Sequence, residues 1–597
     1  MSYIIADNII SPLGNDAYEN LRAIRQGHSA LRPHAAIELG VGHDFVSSII
    51  GSNDAIDSEE APTYFEQKVL ASVHAALQDL PEGVNVITPR TLLVLSTTKG
   101  HIESLHTDTA ADQMQLGQVA ERIAKRLGLT TRPIVVCNAC ISGLSALILA
   151  ERMIDQGQYD HAIVCGTDDI GRFVVSGFQS LNALSAQPCR PFDIERSGLN
   201  LGEAVATAIL SHRPQSYCWQ LEQGVVRNDA YHISAPSKQA EGQYECLRQL
   251  LAPINPFSVN FINLHGTATL FNDQMESVAI ERAGLSPIPV NAYKGYYGHT
   301  LGAAGVLESV LSIHAAEFGL ILPTRGYEES GVSGKVNISN KERPCGGTRF
   351  VKTISGFGGC NAAALFTLCE DAKAVPHPLP KCQLTPTHRV VITPEQATLD
   401  DTLLQTNDHN GMHFLVQLYK ARVGDYPKFY KMDALSRLGF MAAELLVNAE
   451  QEEMAVSKPL VKVEQQEMAI SEPLVKAEKG NMVSDAESRA IVFFNAHSSL
   501  AADRKYLESI IDRDNYFPSP AAFVYTLPNI VTGEVAIRHG YHGETSFYIL
   551  PDKDETLMQQ VLQATTADGH LQSIIAGWVD YVDADHFLAD VAIYAIS

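Results

Sequence analysis

Cys137 and Cys140 stand three apart in the stretch VVCNACISGLSALILAERM, on the threshold of an amphipathic run. That spacing admits a redox dithiol, half of a zinc site, a catalytic thiol beside a core cysteine, or plain packing. Zinc would ask for a second Cys/His pair at similar spacing, and none follows nearby. Alternation along IVVC turns Cys137 toward a core. Cys140 follows a polar break and directly precedes a helix, where the helix dipole and free amides lower a thiol's pKa and can hold an oxyanion. Its small neighbours Ala139, Ser142 and Gly143 leave room for a substrate. Taken alone, the stretch leaves nucleophile, redox and packing readings open.

Two histidines narrow the choice. His265 closes an apolar run in NLHGTATLFND, with Asp273 eight residues on, and His299 lies between Lys294 and Glu308 in NAYKGYYGHTLGAAGVLES. Each follows a strand-like run, and the C-terminal ends of strands in an open α/β sheet share one ligand crevice. A metal reading would recruit His265, Asp273, His299 and Glu308, but no i,i+4 histidine pair supports it, so no metal is expected. GFGG at Gly356 to Gly359 lacks the spacing of a dinucleotide loop and reads as a tight turn with an apolar gate at Phe357.

The elements that must position these residues alternate in type. RTLLVLSTT, RPIVVC and HAIVCG read as strands between the helical stretches QVAERIAKRLGL and GLSALILAERMIDQG. A second such set runs from SVNFINLHG to AAALFTLCE. Strand–helix–strand succession predicts a largely parallel, buried sheet in two tandem α/β halves, residues 1–215 and 216–370. Prolines 376, 378, 380 and 386 mark a stiff linker over 371–387. Residues 388–597 return to strand-like composition, interrupted at 452–479 by a tandem fourteen-residue repeat that reads as a solvent-exposed insertion, with a partner-binding arm as the alternative.

Composition sets the outer bounds. The 597 residues are 45% apolar and 19% charged, and the net charge of −24 argues against nucleic acid and anionic membranes as partners. The N-terminus lacks a signal peptide's basic start and apolar core, and the most apolar window, 133–150, is broken by polar residues, so no membrane span is expected. All ten cysteines precede Gln383 without framework spacing, as reduced thiols of a cytoplasmic protein would.

Together SPLG, NACISG, RPFDIERSGLNLGE, HGTATLFND, KGYYGHTLGAAGVLE and GFGGCNAA, in this order, resemble a β-ketoacyl-acyl-carrier-protein synthase of the elongating, thiolase-fold class over residues 1 to about 370. The resemblance implies a layered α-β-α-β-α fold and a decarboxylative condensation in fatty-acid, polyketide or aryl-polyene-type biosynthesis. It places acyl transfer on Cys140 and decarboxylation of malonyl-carrier protein on His265 and His299. Lys294, Glu308 and Asp273 take supporting places, Phe357 is the gate, and the amides of Cys140 and Phe357 form the oxyanion hole. Acyl carrier protein is the implied partner, with substrates on its phosphopantetheine arm and no other cofactor. A homodimer is implied through the strand beside the nucleophile. The helix residues Arg122, Lys125 and Arg126, with Arg132 beyond, are the densest basic candidate for carrier docking, a solvated face being the alternative. Ser355, Cys360 and Ala204 depart from the family's usual phenylalanine, threonine and glycine. Two alternatives remain: a non-condensing partner protein that only shapes acyl chains, or a Cys-dependent acyltransferase using one histidine. The former must leave an intact Cys-His-His set idle, and the latter leaves one histidine unexplained.

From about His388 the chain resembles the start of the same fold, as a degenerate half-synthase with an unrelated α/β module as the alternative. HRVVITPEQA echoes the opening strand, RAIVFFNAHSS echoes RTLLVLSTT, and SPAAFVYTLPNIVTGEVAIRHG is matched to the nucleophile stretch, which puts Leu527 where the thiol would stand.

Overall fold

The principal strands among the described residues form three sets of five. The first holds β1 (Ser2–Ile10), β2 (Thr91–Ser96), β3 (Ile134–Val136), β4 (His161–Thr167) and β5 (Val205–Ser211). The second holds β6 (Tyr217–Asn228), β7 (Phe261–Asn263), β8 (Pro289–Asn291), β9 (Arg349–Ser355) and β10 (Cys360–Glu370). The third holds β11 (Leu384–Ile392), β12 (Arg489–Asn495), β13 (Thr545–Ile549), β14 (Ser573–Tyr581) and β15 (Phe587–Ile596). This is a computed structural model, and it describes residues 1–51, 62–106, 114–370, 382–406, 411–457, 483–512 and 516–597.

Every set has the same wiring. Its second strand pairs in parallel with the third and fourth, and its fifth runs antiparallel to the fourth and first. The first two sets join through antiparallel pairing of β1 with β6, and the first joins the third through β3 with β13. All residues of β2 and β4 are buried, as their continuous β-branched and leucine runs require of a sheet covered on both faces.

The helices that matter to the site are α1 (Tyr64–Gln78), α2 (Leu116–Arg126), α3 (Ser142–Asp155), α4 (Leu270–Arg282), α5 (Ala304–Glu317), α6 (Ala434–Ser457), α7 (Pro520–Val524), α8 (Ile530–His539) and α9 (Glu555–Thr565). In α3 every residue from Ser142 to Ile154 is buried, and in α5 every residue from Ala304 to Ala315. Helices apolar on all sides belong between layers, and this pair packs between the first two sheets, sharing a core with Val94 of β2 and Ile354 of β9. The layered α-β-α-β-α arrangement expected from the sequence is therefore present. Glycines set the spacing: a Cβ on Gly143 would lie 2.8 Å from the Gly302 carbonyl oxygen, and one on Gly305 only 2.1 Å from the Leu144 nitrogen.

The third set corrects two expectations. Thr91 pairs with His161 and Val94 with Ile134, as Arg489 pairs with Ser573 and Val492 with Ser546. Val136 thus corresponds to Tyr548, and counting on four residues sets Cys140 against Asp552, not Leu527. The stretch SPAAFVYTLPNIVTGEVAIRHG forms α7 and α8, which precede β13 as α2 precedes β3. It was misread because a helix with Gly and small residues looks alike in either place. The second correction concerns only the strand edge through which a homodimer was expected to form. The edge of β3 on which it was expected is already paired with β13 of the same chain, and Phe547 N–H donates to Asn138 Oδ1 at 2.7 Å.

The fourteen-residue repeat lies outside the described residues from 458 onward; its first residues continue α6. Of the linker, 371–381 also falls outside them. Among the described residues no helix is long and apolar enough to cross a membrane.

Candidate active site

Cys140 lies just past β3, in the short turn Ala139–Ile141 that leads into α3. His265 and His299 follow β7 and β8 of the second set, and His299 precedes the turn into α5. The close approach of α3 and α5 is what brings these loops from two halves together. Asp168, at the end of β4, accepts from the amides of Lys99 at 2.8 Å and Gly302 at 2.7 Å, fastening the two halves at this corner. Backbone strain accompanies each site residue: Ala139, Ala268 and Leu301 hold φ of +46°, +64° and +50°.

The donor atoms of Cys140, His265 and His299 lie within 4.8 Å of one another. The two imidazoles meet edge to face, centroids 5.0 Å apart. Leu301 N–H donates to His299 Nδ1 at 3.2 Å, so the proton of a neutral His299 sits on Nε2, which has no protein partner. His265 Nδ1 is likewise buried without a partner. Burial, reinforced by the Lys294 charge, holds both imidazoles well below their ordinary range, so both are neutral donors at neutral pH.

The thiol departs from expectation. Burial pushes Cys140 up to about 12, outweighing Lys294 and the amides of Cys140 and Phe357, which act in the opposite direction. The amides at the helix start do favour the thiolate, but desolvation is the larger effect. The same two amides reach the sulfur, so they are placed to receive an oxyanion that forms on a carbon bonded to it.

Lys294 Nζ donates to the His265 carbonyl oxygen at 2.7 Å and to Glu308 Oε1 at 2.7 Å. Glu308 also binds Lys352, which the sequence reading passed over, although a lysine inside the apolar strand FVKTIS was a visible signal. Burial alone would raise Glu308, but the two lysines hold it below the usual carboxylate range, and burial brings Lys352 down to about 8. Asp273 faces the loop instead, accepting from Phe192 N–H at 2.6 Å and Ala268 N–H at 3.1 Å. Glu276, one turn on in α4, binds the amides of His265 at 2.7 Å and Gly266 at 2.6 Å and was also missed. Asp273 and Glu308 thus have other work, and the four-residue metal set is not brought together.

A cavity of about 410 Å³ opens onto Cys140, His265, His299 and Phe357. Behind the thiol lies a second space of about 20 Å³, bounded by Phe178, Phe357, Phe523 and Leu527. Phe357 stacks on Phe178, which meets Phe523 edge-on at 5.4 Å. Leu527 and Phe523 come from the third set, so its turn after α7 walls the pocket. Two of the four basic candidates carry acidic partners: Arg122 binds Glu66 at 2.7 Å, and Arg132 clamps Asp552 and Asp554 of the C-terminal module. Arg132 therefore joins modules, and the solvated-face reading fits Arg122.

Residues 89–216 match the family model of the β-ketoacyl synthase N-terminal domain, and residues 218–328 that of its C-terminal domain. Over these residues the chain matches the β-ketoacyl synthase family. The chain is 31% identical over 259 residues to nodulation protein E of Rhizobium leguminosarum bv. trifolii, covering 40% of this chain and 62% of that protein. It is 31% identical over 251 residues to 3-oxoacyl-[acyl-carrier-protein] synthase 2 of Rhizobium meliloti, covering 38% and 59%. The matches thus span about three-fifths of those relatives. Across its whole length the chain shares its fold with the PfaC ketosynthase–chain length factor, with a TM-score of 0.73 at 14% identity over 78% of that chain.

Proposed function

We propose that the chain is a condensing β-ketoacyl-carrier-protein synthase. The observation that carries this reading is the meeting of one thiol, two neutral imidazoles and two converging amides at a single cavity. In the first step Cys140 Sγ attacks a carrier-bound acyl thioester. The carbon–sulfur bond to the carrier breaks, a new one to Cys140 forms, and the thiol proton, relayed by an imidazole, ends on the carrier's phosphopantetheine thiol. A thiol protonated at neutral pH makes that relay necessary.

In the second step malonyl-carrier protein loses CO₂. The electron pair left on its α-carbon becomes an enolate, whose oxygen the N–H groups of His265 and His299 meet without a prior ion pair. The enolate carbon attacks the acyl-Cys140 carbonyl, the amides of Cys140 and Phe357 hold the oxyanion, and the Cys140 thiolate leaves and takes up a proton. The product is a β-ketoacyl-carrier protein. An acyltransferase needing one histidine leaves the second unexplained, and no metal or organic cofactor enters these steps.

Asp552 stands at the place in the C-terminal module that matches Cys140, and no cysteine follows Cys382. Phe523 and Leu527 from that module close the space behind Cys140, which supports a role in limiting acyl length, like the chain length factor in the PfaC protein. Acyl carrier protein is the proposed partner. The test is to incubate the full chain with acetyl- and malonyl-carrier protein and weigh the carrier. A gain matching a β-ketoacyl group is expected; free acetyl transfer or hydrolysis alone would replace the proposal with the acyltransferase reading.

A further inference from the structure

Asn529 sits at the entry to α8, where its side chain would ordinarily cap the helix, yet it makes no such bond. It reaches across the module boundary and donates from Nδ2 to the Phe357 carbonyl oxygen at 2.8 Å. Residue 357 is thus gripped on both sides: its N–H faces the Cys140 sulfur, and its C=O is held by the C-terminal module. The next residue, Gly358, has φ of +89°, and a Cβ there would stand 2.7 Å from Asn529 Nδ2. On the following turn of α8, a Cβ on Gly533 would lie 2.6 Å from the Gly358 carbonyl oxygen. The GFGG loop is therefore pressed directly against the α8 backbone. From the first module, Gly358 N–H donates to the Ile233 carbonyl at 2.7 Å, and Asn228 Nδ2 donates to the Gly358 carbonyl at 2.8 Å.

We infer that Asn529 is a positioning residue for the Phe357 amide, so that the C-terminal module completes the oxyanion site of a Cys140 it does not contain. Amides stabilise a developing oxyanion only when already aimed at it, and a shift approaching 1 Å can cost on the order of 100-fold. Cys360, where the family's usual threonine would stand, offers the Phe357 carbonyl only a weak sulfur donor at 3.2 Å, so the amide of Asn529 is its firm hold. Asn529 Oδ1 is buried without a partner, so packing alone does not account for an amide here. The inference rests on the condensing role proposed above.

The test uses the full chain carrying Asn529→Leu, which keeps the shape and removes the donor. A second variant, Gly533→Ala, pushes the loop from its other contact. Transfer of the acetyl group from acetyl-carrier protein to Cys140 is timed by mass spectrometry, and decarboxylation of malonyl-carrier protein is followed separately. Both variants should load Cys140 at least roughly tenfold more slowly at saturating carrier, with KM little changed, because the lost term is transition-state stabilisation. Decarboxylation, which depends on His265 and His299, should stay within about twofold. Unchanged loading in Asn529→Leu would overturn the inference. So would a parallel fall in both steps, which would make Asn529 a module tie only. Failure of the condensing proposal itself would show separately, as a wild-type chain that neither loads nor condenses.

Discussion

Cys140 and Asp552 occupy matching places in the first and third strand sets, one past β3 and the other past β13. Around Cys140 the chain closes in: a strained turn, a helix buried on every side, and two histidine loops from the second half. Around Asp552, among the described residues, no pair of histidine loops is brought up in this way. Its carboxylate stays at the surface, bound to Arg132 at 2.7 Å. The same wiring thus yields a reactive corner only where a second half covers it. What the third set keeps is its edge strand and the turn after α7, and it gives both to the first.

The sharpest break of this comparison exchanges the two places. Cys140→Ala should abolish acyl loading and condensation while malonyl decarboxylation persists, because the histidine pair is intact. Asp552→Cys in that background should restore nothing, since among the described residues no imidazole pair is gathered at that place. Acylation of the new thiol from acetyl-carrier protein at a wild-type rate would show that the fold alone makes the nucleophile.

Next in size is the tie between the regions. Arg152 of α3 binds Glu544 at 2.7 Å, and Arg227 of β6 binds Asp568 at 2.7 Å, with all four side chains buried. Removing one partner strands a buried charge, at a cost of about 3–5 kcal/mol. Asp568→Ala should lower the unfolding free energy by that much, read from the urea midpoint at unchanged slope, in a single transition. A chain ending at Pro380 loses both partners and bares the edge of β3, so it should aggregate. Two separate unfolding transitions in Asp568→Ala would mean the modules are independent bodies, and the comparison would lose its basis.

Much of the site was legible because its residues come in local motifs: Cys140, His265, His299, Lys294, Glu308 and Phe357 are all found at the one corner. The repeated wiring was legible from β-branched runs, and HRVVITPEQA and RAIVFFNAHSS do open the third set as β11 and β12. Less legible was anything set by long-range burial. Desolvation of Cys140, the sharing of Glu308 by Lys294 and Lys352, and the capture of Arg132 by Asp552 depend on neighbours more than forty residues away in most cases. Leu527 was misplaced for the opposite reason: local resemblance outweighed the strand register that only pairing reveals.

A smaller effect would sharpen the boundary in the acyl pocket. Phe523→Ala and Leu527→Ala should enlarge the space behind Cys140 without touching the thiol. Each methylene newly accommodated is worth about 0.8 kcal/mol, so loading preference should shift about fourfold per carbon toward longer acyl-carrier proteins. Measuring relative loading across a chain-length series checks this. An unchanged preference would mean that the third set does not bound the acyl chain.

The smallest expected change concerns pH. His265 and His299 are held well below their ordinary value of 6.5 by burial first and by Lys294 next, with Lys352 adding to both. The neutral form does the chemistry, so malonyl decarboxylation should be flat from pH 8 to pH 6, with its acid limb well below 6.5. The stability sign follows from the same shift. Below 6.5 the unfolded chain binds protons on these imidazoles and the folded chain does not, so folding weakens as pH falls through that range. Lys352→Met removes one of the opposing charges while Lys294 still pairs with Glu308. The histidines should then titrate closer to 6.5, and the acid limb of decarboxylation should move upward by a fraction of a pH unit. The Asp552 corner has no such pair and adds no limb of its own, so the pH–rate profile reads the Cys140 corner alone. A wild-type limb centred near 6.5, or one that Lys352→Met leaves in place, would mean that these imidazoles are solvated and that the enclosed Cys140 corner opens in solution.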